Sequence, residues 1–402
     1  MKNKTIYIVG GLVFLAIILL LLFFFFHSNT STGTPSTGFF GIGGNVSTTQ
    51  TNVGDSTTPG QVGNQVLQRV FKIADGPVAG ATFVQTSNPT TTIARYVMQD
   101  TGHISDLAVD VPGAAVRPIS NVTIPGLTEV LWGNHGTSTI LQYVELGVIK
   151  SVYVTFTPAT STNAAIPPRM QFLPNGMESL TVSPDKHSLA YLVTTATGAN
   201  AFTANIDGTG SKKLFSLPLS QMLLSWPAQN ALIAQTKSAA GVPGIAFSIN
   251  AKTGGLSPLL YTPGLSAIAN NTFTKVVYQT NAGSGSAPHT YIHDIEAGRD
   301  ANILKTPLPE KCVWASTAAD TLYCALPLDT QPQNYIDLWH QGLVQTADSI
   351  VEFDANSGGG VVVTLPGNGG PSAPIDQLGV SPDGKYLLFI TRGDHSLWGV
   401  RL

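Results

Sequence analysis

Charge is what this sequence has least of. Only 11% of its 402 residues are Asp, Glu, Lys or Arg, less than half of what an ordinary soluble domain carries. The 20 basic and 23 acidic residues leave a formal net charge of −3. No basic stripe stands out, which removes the electrostatic footprint that nucleic-acid binding needs. Cysteine is nearly absent. Two residues, Cys312 and Cys324, exclude a disulfide-dense scaffold and a multi-cysteine zinc module. Local motifs of chemistry are missing as well. The chain has no G-x-S-x-G nucleophile elbow, no G-x-x-x-x-G-K-[ST] phosphate loop, no H-E-x-x-H zinc helix and no D-x-D-x-D-G calcium loop. GTGSKK (208–213) has the wrong spacing for a phosphate loop and reads as a turn. No cofactor or metal is therefore expected. A dispersed active site, such as paired carboxylates from distant segments, leaves no such signature.

Gly (41) and Pro (26) are plentiful, and so is one long apolar run. Residues 5–26, TIYIVGGLVFLAIILLLLFFFF, hold no charge over 22 positions, enough for a helix to cross about 30 Å of hydrocarbon. A cleaved secretory signal has a shorter apolar core and a small-residue cleavage site. The run instead ends in Phe23–Phe26 and His27, so an uncleaved signal anchor is expected. Lys2 and Lys4 stand on one side, and no basic residue follows until Arg69. The positive-inside rule then keeps residues 1–4 as a cytoplasmic tip and places the rest outside the cytoplasmic membrane of a bacterium. Residues 27–65 are dominated by Ser, Thr, Gly, Asn, Gln and Pro, with Asp55 the single charge. Such a segment cannot bury enough apolar area to offset its ordering entropy and reads as a disordered stalk. Within it, GFFGIGG (38–44) is a small apolar island.

From residue 66 to 402 short alternating apolar runs are separated by Gly, Pro, Asn and Asp clusters, with no sustained helical period. That pattern is all-β. The runs also repeat. One unit is strand, turn, strand: LTVSPDKHSLAYLV (180–193) and LGVSPDGKYLLFIT (378–391), with weaker copies at 130–143, 223–236, 267–280 and 312–325, and a looser one at 80–97. The six clearer copies align at Trp132, Val182, Trp226, Ala269, Trp314 and Val380, spaced by 50, 44, 43, 45 and 66 residues. Most of these match one four-stranded propeller blade. A second hairpin follows, as in FTANIDGTGSKKLF (202–215) and IVEFDANSGGGVVVT (350–364). Asp-Gly and Gly-Gly suit such turns because they accept positive φ. The last unit runs out after three strands, and VLQRVFKIADGP (66–77) resembles the missing outer strand. Pairing the two ends closes the ring and removes an exposed edge. The expectation is a seven-bladed β-propeller closed by its N-terminal strand, preceded by one transmembrane helix and a disordered stalk.

VSPDGKYLLFIT and ANIDGTGSKKL resemble the repeat of TolB-like, WD40-like propellers, in which SPDG opens an inner hairpin and a D-G turn precedes the outer strand. The resemblance spans roughly 66–402 and is specific in two units. It implies the propeller fold. It implies little about activity, since propellers of this kind serve as binding platforms and as gating domains of peptidases. TolB carries a separate α/β domain before its propeller. This chain has an anchor and stalk there, as do anchored propellers of bacterial envelopes.

Individual residues carry weaker signals. Asp185 and Asp383 sit in SPD turns, where an Asp side chain accepts backbone N–H groups. Trp132, Trp226 and Trp314 recur at one strand end, which suits packing between blades better than ligand stacking. Cys312 and Cys324 lie symmetrically in the arms of one hairpin, within reach of each other. A disulfide on the exported side, two buried thiols and a metal site all remain open. His289 and His293 share a face of one strand but stand about 13 Å apart, too far for one metal ion. The long spacing before Val380 comes from an insertion, 327–347, that contains Tyr335, Trp339 and His340. Extra loops on rigid scaffolds often carry recognition, so these three are the candidate partner-binding residues. The competing reading is a loop packed over a blade edge that buries Trp339. The whole points to a non-catalytic binding platform or envelope scaffold whose partners are envelope proteins or cell-wall polymers. A glycan- or peptide-acting enzyme using channel residues and a structural subunit of a larger assembly are the alternatives.

Overall fold

Every alternating run from residue 70 onward becomes a strand, and the repeat becomes a blade. The computed structural model describes residues 69–402, apart from 88–89, 158–165, 283–285, 304, 328–330 and 332–333. The expected anchor (5–26) and stalk (27–65) lie outside the described residues. Among the described residues no helix is long and apolar enough to cross a membrane.

After β1 (Val70–Ala74), blade 1 holds β2 (Val78–Ser87), β3 (Thr90–Met98), β4 (Ile104–Ala108) and β5 (Arg117–Ser120). Blade 2 holds β6 (Leu127–Gly133), β7 (Ser138–Glu145), β8 (Val148–Thr157) and β9 (Ile166–Phe172). Blade 3 holds β10 (Glu178–Val182), β11 (Ser188–Thr195), β12 (Gly198–Asn205) and β13 (Lys212–Leu217). Blade 4 holds β14 (Met222–Ala228), β15 (Ala231–Thr236), β16 (Pro243–Asn250) and β17 (Leu256–Pro263). Blade 5 holds β18 (Ser266–Ala269), β19 (Lys275–Thr280), β20 (His289–Asp294) and β21 (Arg299–Ile303). Blade 6 holds β22 (Cys312–Trp314), β23 (Thr321–Pro327), β24 (Asp348–Asp354) and β25 (Gly360–Thr364). Blade 7 holds β26 (Ile375–Val380), β27 (Tyr386–Thr391) and β28 (Leu397–Arg401), and takes β1 as its outer strand. The result is seven four-stranded antiparallel sheets. Most first strands touch in ring order, β18 of blade 5 meets the Pro309–Lys311 turn ahead of β22, and β2 meets β26 and β27 to close the circle. The chain is an all-β, seven-bladed propeller.

The sequence explains each layer. Second strands such as LAYL of β11 and LLFI of β27 are covered on both faces, so they are continuous apolar runs rather than alternating ones. The turn between first and second strands is set by side chains. Ser183 Oγ accepts Ser188 N at 2.9 Å and Asp185 Oδ1 accepts His187 N at 3.1 Å. Ser381 and Asp383 repeat this with Tyr386 N at 3.0 Å and Lys385 N at 3.2 Å. In blade 5 one residue, Asn270, accepts both Thr274 N (2.9 Å) and Lys275 N (3.1 Å). The outer hairpins use the same device, with Asp207 Oδ1 on Thr209 N at 2.9 Å and Asp354 Oδ1 on Asn356 N at 2.8 Å. Hydrogen bonds from Ser183 and Thr209 hold the Asp185 and Asp207 carboxyls below their usual range. These carboxylates are structural turn formers.

The tryptophans wedge between blades. Trp132 joins Val97 and Ile104 of blade 1 to Leu127 and Val152 of blade 2. Trp226 packs where Leu192 of blade 3 meets Leu232 of blade 4, and Trp314 where Val277 of blade 5 meets Leu322 of blade 6. Closure follows the expected pairing, with Val70 opposite Val400 and Phe71 opposite Gly399, and with Val70 and Ile73 buried.

Candidate functional site

First strands begin, and second strands end, on one face of the ring. That face collects the connections between blades and the insertion of blade 6, and it carries both features of interest.

The first is the insertion. A propeller of strands only is expected here, but residues Tyr335–His340 form a short helix, α1. Six residues are too few for a helical period to register in sequence, and tertiary contacts stabilise the element instead. Tyr335 and Trp339 are 1% and 4% exposed, packed with Leu308, Ile336 and Val344. The expectation of an exposed aromatic recognition loop at Tyr335 and Trp339 is thus not what the structure shows. The two rings point inward because α1 lies over a buried charge pair. Lys311 Nζ donates to Asp348 Oδ2 at 2.5 Å and to Tyr335 Oη at 3.2 Å, with both charged side chains fully buried. Lys311 Nζ also lies 4.4 Å from the Trp339 ring centroid, and the Arg392 guanidinium of blade 7 lies 4.0 Å from it. Asp348 further accepts Ile375 N at 2.7 Å. Burial pulls the Lys311 ammonium down against the opposing pull of Asp348, and burial pushes the Tyr335 phenol up.

Two contacts hold α1 to other blades. Asp337 Oδ1 accepts Ala240 N at 2.9 Å, reaching the connection that follows β15 in blade 4. His340 Nε2 stands 2.9 Å from Glu310 Oε1, an ion-pair distance without good hydrogen-bond alignment. Glu310 Oε2 accepts weakly from Ser266 Oγ at 3.4 Å. Of the three candidate residues, only His340 keeps an exposed surface.

The second feature is a cavity of about 680 Å³ across blades 2 to 4. Its polar wall includes Glu129, Glu178, Ser179, Thr194, Gln235 and Lys237. Most of the neutral groups are already engaged. Thr194 Oγ1 donates to Glu178 Oε2 at 2.9 Å, and Ser179 Oγ accepts Leu224 N at 2.7 Å. Gln235 exchanges two hydrogen bonds with the backbone of Ala267 in blade 5. Glu129 differs from these. The residue keeps an exposed surface, yet the concave walls strip much of the carboxyl's hydration and push it up to about 7. The surface exposure tempers that shift, because water in the opening still screens the charge. Neither Glu129, Glu178 nor Lys237 forms an ion pair among the described residues.

Sequence reasoning did not single out these cavity residues, because each repeat contributes only one to three of them. Glu129 and Glu178 each pair with the fifth residue of their second strand, Gln142 and Leu192, so they occupy matching places in consecutive blades, although a one-residue difference in their spacing to Trp132 and Val182 hides this in the sequence.

Cys312 on β22 faces Cys324 on β23 directly in register, and the two sulfurs are bonded at 2.11 Å. His289 and His293 both lie on β20, and His293 Nδ1 meets Asp300 Oδ1 at 2.8 Å. Among the described residues no three His, Cys, Asp or Glu side chains gather in a metal-binding group.

Comparison with known proteins supports the fold alone. No family model matches the chain, and no curated protein matches it. Solved structures do. The Neurospora crassa Pan2 WD40 domain is 10% identical with a TM-score of 0.50, over 82% of this chain and 95% of that one. An oligogalacturonate lyase in complex with manganese is 11% identical with a TM-score of 0.51, over 82% and 98%. TolB from Acinetobacter baumannii is 11% identical with a TM-score of 0.43, over 72% of this chain, which spans 64% of the TolB chain. At such identities propellers of different activities resemble this one equally well.

Proposed function

We propose that the protein is a non-catalytic binding platform of the cell envelope, held to the cytoplasmic membrane by residues 5–26 and displayed on the outer side at the end of the 27–65 stalk. The ring supplies rigidity, and the stalk supplies reach. The observation that carries the reading is the cavity across blades 2 to 4. Its walls come from three consecutive repeats, and Glu178, Ser179 and Gln235 are fixed by hydrogen bonds before any ligand arrives. Such a preformed concave face binds without reorganising, which limits the entropy lost on association. Tyr335 and Trp339 are buried and offer a partner no surface. The insertion stiffens this face and leaves recognition to the residues around it.

Cross-linked pull-down from native membranes tests the proposal, with the intact chain compared against a chain lacking 66–402. Envelope proteins enriched only with the intact chain are the expected result. Equal recovery by both chains would contradict it.

A further inference from the structure

One hairpin beside the cavity breaks the rules of its own turn. The β7–β8 connection is a two-residue loop, Leu146-Gly147, with both residues at positive φ (51° and 77°) and Glu145 opposite Val148. This is the turn for which Asn-Gly is the preferred pair, because a Cβ at the first position is strained. The sequence places a leucine there, and that leucine is 98% exposed. The strain is therefore not repaid by burial within this chain. Val144 and Val148 beside it are 54% and 42% exposed.

The hairpin also projects. β6 reaches along β7 as far as Tyr143, and β9 reaches along β8 as far as Val152. The tip at 144–148 therefore stands beyond both neighbours. The next residue, Ile149, lines the cavity that also holds Glu129, Glu178 and Lys237. An apolar knob and a concavity with two carboxylates thus share one rim.

We propose that this rim is the docking site for a protein partner that presents a lysine or arginine side chain. The cation enters the cavity toward Glu129 and Glu178. Apolar residues flanking it rest on Val144, Leu146 and Val148, and Lys237 takes a backbone carbonyl or carboxylate of the partner. An approaching cation favours the ionised form of Glu129, so a basic side chain finds Glu129 and Glu178 at the centre and apolar surface at the edge, whereas an anionic lipid surface meets Glu145 at the knob and has Lys237 alone to attract it within the cavity. This inference rests on the platform reading and names the partner chemistry of the same face.

The test uses the full-length chain and fluorescein-aminohexanoyl-Leu-Ala-Lys-Ala-Leu-amide, with the dye on the N-terminal spacer and the Lys left free, and with the peptide carrying Glu in place of Lys as the control. The expected anisotropy result is saturable binding, about tenfold tighter for the Lys peptide. Combined Glu129→Gln and Glu178→Gln should remove that preference. Leu146→Asn supplies a folding-independent check, since it should raise Tm by relieving the turn and at the same time weaken binding. Equal affinity for both peptides, no binding of either, or preference for phosphatidylglycerol vesicles would overturn the inference. The platform reading fails separately, when the pull-down recovers the same proteins with and without 66–402.

Discussion

At the scale of single residues, the main surprise is Lys311. It is fully buried with Asp348 beneath a helix, and its charge is compensated by one carboxylate, one phenol oxygen and a tryptophan face. Breaking such a pair from one side strands the other charge, which costs about 3–5 kcal/mol, whereas removing both charges costs far less. Lys311→Met alone should therefore destabilise the propeller by that amount in denaturant unfolding. Adding Asp348→Asn should restore about 2 kcal/mol. A double variant no more stable than the single one would show that the loss is packing and not electrostatics. The cysteines offer a simpler check. With Cys312 and Cys324 bonded across β22 and β23, unfolded protein kept free of reductant should show no thiol labelling. Stoichiometric labelling of both would remove the bond from the account. Facing positions in the hairpin were readable from the sequence, because strand register is a count. The burial of Lys311 was not, because nothing local distinguishes it from a surface lysine before a strand.

Elements were legible to the extent that their turns carry their own chemistry. SPD turns and D-G turns announce themselves, because Ser, Asp and Asn bind backbone N–H groups within a few residues. Two inner hairpins were read from these, the other five from weaker copies and their spacing, and the closing strand from a last unit that runs out after three strands. Helix α1 did not, since its six residues fold only against Leu308, Val344 and the Lys311–Asp348 pair. The closing strand makes a prediction of its own. Gly76, between β1 and β2, has φ +80°, and a Cβ there would stand 2.6 Å from the Asp394 carbonyl oxygen and 2.7 Å from that of His395. Gly76→Ala should cost about 1–3 kcal/mol from the left-handed backbone conformation, with the clash in addition. It should also expose β28 to limited proteolysis. An unchanged Tm and digestion pattern would mean that β1 contributes little to closure.

At the scale of the whole molecule, fold and function separate. Seven repeats close into a ring because each buries its faces only against its neighbours, and that logic is visible in sequence spacing. The cavity is a product of the closed ring, with walls drawn from residues 129 to 237, so no single segment displays it. The proposal puts partner binding on the face that bears the cavity, α1 and the β7–β8 knob, while the SPD turns of the opposite face hold the hairpins. Photo-cross-linking in native membranes tests that assignment most directly. The cross-linker is placed in turn at Leu146 and Lys237 on the first face and at His187 and Lys385 on the second. Partner adducts should form from positions 146 and 237 and not from 187 and 385. Adducts confined to 187 and 385, or none from any position, would contradict the platform on the cavity face.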